Sequence, residues 1–232
     1  MLPSETLVAF HNASPMHLLR AQDAHRPEAR RRSVRCVSSP PPARDALISL
    51  TAPNSPRVGR DEQLAPLLAQ LMNLPPPPVD KRIIGVWRNA HTSVPQTASP
   101  IQRAAIVNEK FVPEVQQIVV GDEVPLAIVN RLLFPGGELN IMAVVTDVQT
   151  QRLCLRFTRA WFLLGGGFRI PYPVPFRLLG KKSCGWLDIV YIDDELRVTK
   201  GNRGSTFVLR KESDDVGLAY TPELREELEK NS

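Results

Sequence analysis

At 232 residues the chain is long enough for one domain with a sizeable core plus extensions. No uninterrupted apolar run approaches the roughly 20 residues that a membrane-crossing helix needs, so a soluble or peripheral protein is expected. The net charge of +5 is unevenly spread: Arg20, Arg26, Arg30, Arg31, Arg32 and Arg35, set against Glu5, Asp23 and Glu28, supply three of the five charges, and the rest of the chain has no cation cluster of the kind phosphate binding needs.

Residues 1–36 are rich in Arg and poor in acids, and they lack the apolar centre of a secretory signal. That composition predicts an organelle transit peptide, with a basic arm that binds polyanions as the alternative. Val34-Arg35-Cys36-Val37 resembles a chloroplast cleavage site, which places processing close to Cys36. Residues 37–60 hold Pro40, Pro41, Pro42, Pro53 and Pro56 among Ser, Asn and Gly, and read as a poorly ordered linker.

Within 61–82, Leu64, Leu67, Leu68 and Leu71 recur at helical spacing behind Asp61 and Glu62, acids that suit a helix N-terminus. A short helix is expected there, ended by the stiff spacer Pro75 to Pro78, with its leucine face packed on one mouth of the domain that follows. From Ile83 onward the pattern is β. Strands are expected near 83–91, 112–120, 124–134, 138–147, 150–159, 184–192, 195–200 and 204–211, and a helical turn near Ile101 to Ile106. Many short strands with little helix mean a barrel or a sandwich, which periodicity alone does not separate. In the tail, 213–232, Thr221-Pro-Glu-Leu has the cap and first-turn residues of a short helix.

Catalytic chemistry is poorly supported. His91 is the one histidine after residue 36 and stands beside no nucleophile or metal pattern, so no catalytic residue, metal or cofactor is assigned. Cys154 and Cys184 are expected as free thiols. Asp188, Asp193, Asp194 and Glu195 read as a solvated turn with ion pairs to Arg197 and Arg203, and Asp188, inside an apolar strand, has to be paired or face solvent. Polar Arg88-Asn-Ala-His-Thr-Ser93 suggests either a site for a ligand's head group or a peripheral strand, and the second is preferred. Trp161-Phe-Leu-Leu-Gly-Gly-Gly-Phe168, framed by Arg159 and Arg169, is an apolar, glycine-rich loop suited to a membrane surface. Its contacts would be Trp161, Phe162, Leu163, Leu164 and Phe168, unless Trp161 to Leu164 completes a core strand.

The most distinctive stretch is Arg169-Ile-Pro-Tyr-Pro-Val-Pro-Phe-Arg-Leu-Leu-Gly180. Pro171, Pro173 and Pro175 forbid a helix and keep the chain extended. Gly185-Trp-Leu-Asp188 follows, then Leu196-Arg-Val-Thr-Lys-Gly-Asn-Arg-Gly204 and Phe207-Val-Leu209. At these residues the chain resembles the plastid lipid-associated proteins, or fibrillins. The resemblance continues more weakly in Ser99-Pro-Ile-Gln-Arg-Ala104 and Gly85-Val-Trp87.

The resemblance implies a mainly β fold, a lipocalin-like antiparallel barrel over 83–212 with a short N-terminal helix and a disordered N-terminal extension. It also implies a plastid protein that handles lipids or other apolar molecules at thylakoid or plastoglobule surfaces, or one that scaffolds another plastid protein such as a prenyl-lipid enzyme. In such a barrel Trp87 would sit at the closed end with Arg210 stacked on it, and Trp87, Phe157, Trp186, Tyr191 and Phe207 are the candidate ligand-binding residues.

Overall fold

In the computed structural model the residues described are 41–55, 59–93, 114–173 and 180–217. The transit peptide, Ser99 to Ala104, the turn near 101–106, Val174-Pro175 and the tail helix lie outside them.

Two helices come first. α1 spans Pro42–Leu50 and α2 spans Arg60–Met72. α1 departs from the linker expected over 37–60. Its reason is local: Pro42 opens the helix, where a missing N–H costs nothing, Asp45 lies in the first turn, and Ala43 and Leu47 make a buried face. α2 buries Leu64, Leu68 and Leu71, as their spacing requires.

Nine strands follow: β1 Gly85–Thr92, β2 Glu114–Gly121, β3 Pro125–Phe134, β4 Gly137–Val148, β5 Arg152–Leu164, β6 Phe168–Pro171, β7 Cys184–Ile192, β8 Leu196–Gly201 and β9 Thr206–Ser213. All pairings are antiparallel, in the order β4-β3-β2-β1-β9-β8-β7-β5-β6. β4 also pairs with β5, so the ladder of the eight strands other than β6 returns to its starting point. The strand β5 is shared. Its first part, Arg152 to Arg156, pairs with β7, while its last part, Trp161 to Leu164, carries β6 beyond the ring.

Closure gives each strand an inward and an outward face, and the sequence alternates accordingly. The inward cluster holds Ile83, Trp87, Val119, Ile128, Ala143, Leu153, Leu155, Leu187, Ile189, Ile192 and Leu209. A second cluster lies on the opposite face of β8 and β9, where Leu196, Val198 and Val208 meet Ala43, Leu47, Leu64, Leu68 and Leu71. The leucines of α2 therefore pack on a wall of the sheet and on α1, not on a mouth. A third outward cluster joins Ile118, Val120, Ala127, Val129 and Met142, with Trp161 against it.

The first strand is central rather than peripheral, since β1 pairs with both β2 and β9. Its polar residues are used: Arg88 meets Glu212, Asn89 donates to Thr92 Oγ1 at 2.8 Å, and His91 Nδ1 lies 3.5 Å from Asp61 of α2. Burial, reinforced by Arg60 and opposed by Asp61, holds the His91 pKa below its usual value.

Candidate functional site

The inward face is built around Trp87, which has no solvent exposure. A 3₁₀ turn at Lys81–Ile83 precedes it, and the indole Nε1 donates to the Ile83 carbonyl at 2.8 Å, so the ring's polar handle is satisfied by its own chain. Gly85 makes the entry possible. Its φ is +127°, and a Cβ there would sit 2.6 Å from the Ser213 carbonyl oxygen. Two cations lie by the indole: Arg197 at 4.6 Å from the ring centroid and Lys211 at 5.2 Å. Arg210 takes neither place. It has the opposite parity to Leu209 on β9, and its Nη1 donates outward to the Ile48 carbonyl of α1 at 2.9 Å.

Arg197 also departs from the ion pair expected with the acidic turn. It stands between Leu196 and Val198, both turned outward toward the helices, so it must point inward. It is fully buried, and its Nη2 donates to Gln117 Oε1 at 2.5 Å across the ring. Gln117 Nε2 in turn donates to Asn130 Oδ1 at 2.9 Å. Burial pushes the Arg197 pKa down to about 9, so the group keeps its proton at neutral pH.

The acidic turn is held by other arginines. Arg152 makes a two-pronged contact with Asp188 at 2.6 and 2.8 Å, and its guanidinium lies 4.1 Å from the Trp186 ring centroid. Arg44 of α1 reaches Asp193 and Glu195, both at 2.6 Å. Burial would raise the Asp193 pKa, but Arg44, the backbone N–H groups of Glu195 and Leu196 and the Tyr191 hydroxyl hold it below the usual value. Cys154 and Cys184 are free thiols.

The five ligand-binding candidates divide between two faces. Trp87 belongs to the inward cluster, and Phe157 and Phe207 pack against it. Trp186 pairs with Cys154 at a position alternating with inward Leu187, and so faces outward beneath Arg152. Tyr191 opposes Val198 and packs with the helices, its hydroxyl donating to Asp193 at 2.8 Å. Alternation alone did not say which parity was inward. The register shift between Ile189 and Tyr191 further upsets the count.

The five candidates for surface contact come together on one hairpin, although Trp161 to Leu164 are the end of β5 and not a loop. Gly166 and Gly167, with φ of +84° and +81°, make its turn. Trp161 is half-buried, with Arg169 4.4 Å from its ring centroid, and Phe162 packs edge-on to Phe134 with centroids 6.4 Å apart. The exposed apolar groups are Leu163, Phe168, which is 72 % exposed, and Ile170, which is 48 % exposed. Ile170 was missed because it lay within the proline-alternating motif. Its signal was the parity it shares with Phe168.

Among the described residues no helix is long and apolar enough to cross a membrane, and no group of three metal-ligating side chains occurs. The sequence profile of the PAP_fibrillin family matches residues 60–210. Over 142 residues the chain is 41 % identical to the "Probable plastid-lipid-associated protein 12, chloroplastic" of Arabidopsis thaliana, covering 59 % of this chain and 34 % of that one. Over 40 residues it is 45 % identical to the "Light-induced protein, chloroplastic" of Solanum tuberosum, covering 17 % of this chain and 12 % of the other. The chain thus spans about a third of the first relative's length and far less of the second's. No solved structure matches it.

Proposed function

Since this chain belongs to the PAP/fibrillin family, we propose that it is a plastid lipid-associated protein that binds and shields an apolar molecule within a lipocalin-like barrel. The observation that carries the proposal is the closed ladder of eight strands around a cluster of inward apolar side chains, in a chain whose matching relatives are a plastid-lipid-associated protein and a chloroplastic one. A ring of about eight strands is the size that encloses side chains or one small ligand. Trp87, Phe157 and Phe207 are the aromatic residues offered to that ligand, a prenyl lipid or an acyl chain. Burial of such a tail stabilises by about 0.8 kcal/mol per CH₂.

The same proposal gives the β5–β6 hairpin the role of surface contact at a thylakoid membrane or plastoglobule. Phe168 and Ile170, on one face of the hairpin, enter the interface, while Leu163 pairs with Arg169 on the other face, where the cation meets anionic head groups. No catalytic step is assigned. Native mass spectrometry of the full chain, expressed and purified without detergent, is the test. A stoichiometric co-purified lipid is the expected result. A chain that stays empty after incubation with plastid lipid extract, and yet captures a plastid protein, would replace the binder with a scaffold.

A further inference from the structure

The inward face contains one group that an apolar container does not need. Arg197 has no solvent exposure, and among the described residues its only hydrogen-bond partner is the neutral amide of Gln117. Its Nε and Nη1 atoms are buried with no partner at all. Strand register puts Asn89, Gln117, Asn130 and Thr199 on the same inward face, and among the described strands no Asp or Glu shares it. Lys211, the other cation by Trp87, already meets Asp214 and the Arg82 carbonyl. The Asn89 Oδ1 and Thr199 Oγ1 atoms are likewise buried without partners. Asn89 and Arg197 both pair with Leu209 from opposite sides, and Thr199 pairs with Phe207 one inward position along β9.

A buried guanidinium facing one neutral oxygen and the Trp87 ring is costly, because the amide carbonyl satisfies one N–H and a neutral ring offsets only part of the charge. Replacing it with an apolar residue would be easier for a fold that needed only packing. From this geometry we infer that Arg197, backed by Gln117, receives the carboxylate of a singly charged, long-tailed acid, a free fatty acid in chemical class. This rests on the reading of the ring as a container for an apolar ligand, and it names which one. One carboxylate matches the one uncompensated cation, where a phosphate dianion would leave a second charge unpaired. A neutral quinone or ester would only repeat what the Gln117 carbonyl already offers. The tail runs along the apolar surface that surrounds the head, which begins with Trp87, Ile192 and Leu209.

The test uses the full chain with cis-parinaric acid, a fluorescent fatty acid, and its methyl ester, which has the same tail and no charge. Wild type is expected to bind the acid at least tenfold more tightly than the ester at pH 7.5. In Arg197→Met, of similar length and uncharged, the acid is expected to fall to the ester's affinity while the ester's own affinity stays the same or improves. Arg197→Lys should keep part of the preference. Equal affinity of wild type for acid and ester would overturn the inference and leave the container reading standing. An acid preference that persists in Arg197→Met would also overturn it, by placing the head elsewhere. If neither probe binds wild type, the inference falls, while the container reading stands or falls by the native mass spectrometry. Should Arg197→Met fail to fold, the Arg197→Lys variant carries the assignment: an acid preference undiminished there would overturn it.

Discussion

The inward belt at Arg197 and the tip of the β5–β6 hairpin break the same rule in opposite directions. One buries a charge where water is absent, and the other exposes apolar side chains where water is present. Either is a liability in a protein that meets only water. On the proposed reading the two answer different parts of a lipid: the belt one polar head, the tip a surface. The comparison also separates what holds the fold from what is spare. Trp87 is tied by its indole N–H, by packing and by two cations, whereas Phe168 touches little beyond its own turn.

Substitution at the two places should therefore differ most sharply in stability. Trp87→Ala is expected to cost about 3–5 kcal/mol in urea unfolding, the range for a large buried aromatic. A loss under about 1 kcal/mol would mean that the inward face is not a packed core. Leu64→Ala, which opens the interface between α2, α1 and the β8–β9 wall, is expected to cost about 2–4 kcal/mol by the same measurement. A value near zero would show that the helices contribute nothing to the wall they cover.

Acid should act next, at the Arg44 cluster and at the Asp80 cap of the turn before β1. Asp193 and Asp80 both have folded pKa values below their ordinary ones, Asp80 chiefly through Arg82. Their stabilisation is therefore complete above about pH 4 and is lost as the pH falls through the lowered folded values. Urea midpoints should fall modestly between pH 7 and 5, where His91 takes up a proton in the unfolded chain before it does in the folded one, and then more steeply toward pH 3. In Arg44→Ala the acid-side fall should shrink, and an unchanged fall would exclude the Arg44 cluster as its source.

The smallest effect on stability belongs to the tip. Phe168→Ser together with Ile170→Ser should shift unfolding by no more than about 0.5 kcal/mol. The same pair should abolish flotation with liposomes that contain anionic lipid. Flotation equal to wild type would take the surface role away from the hairpin.

Much of the architecture could be read from residues. Eight of the nine described strands followed from alternation, and the α2 face from leucine spacing, whereas β6 was not read as a strand, and the end of β5 beyond residue 159 only as the alternative to a loop. α1 was missed because three consecutive prolines dominate the composition of 37–60, although the last of them is well placed to start a helix. The site was less legible, because period-two alternation fixes two faces without saying which is inside. Trp186, Tyr191 and Arg210 were placed inward on that incomplete information. Arg197 was assigned to an acidic turn for its nearness in sequence, although Leu196 and Val198 on either side already required it to face away from them. Which of those faces carries the helices is a tertiary fact, and only α1 and α2 packing on β8 and β9 supplies it.

One strand bears on how copies of the chain meet one another. Closing the ring leaves β6 as the described strand with a single partner, and an unpaired edge is where neighbouring copies add on and grow into aggregates. Here that edge is four residues long, it carries Arg169, it ends in Pro171, and Pro173 follows it. Each proline removes a donor that an incoming strand would need. The proline-alternating motif thus doubles as a guard against strand addition at the one edge the closed ring leaves among the described strands.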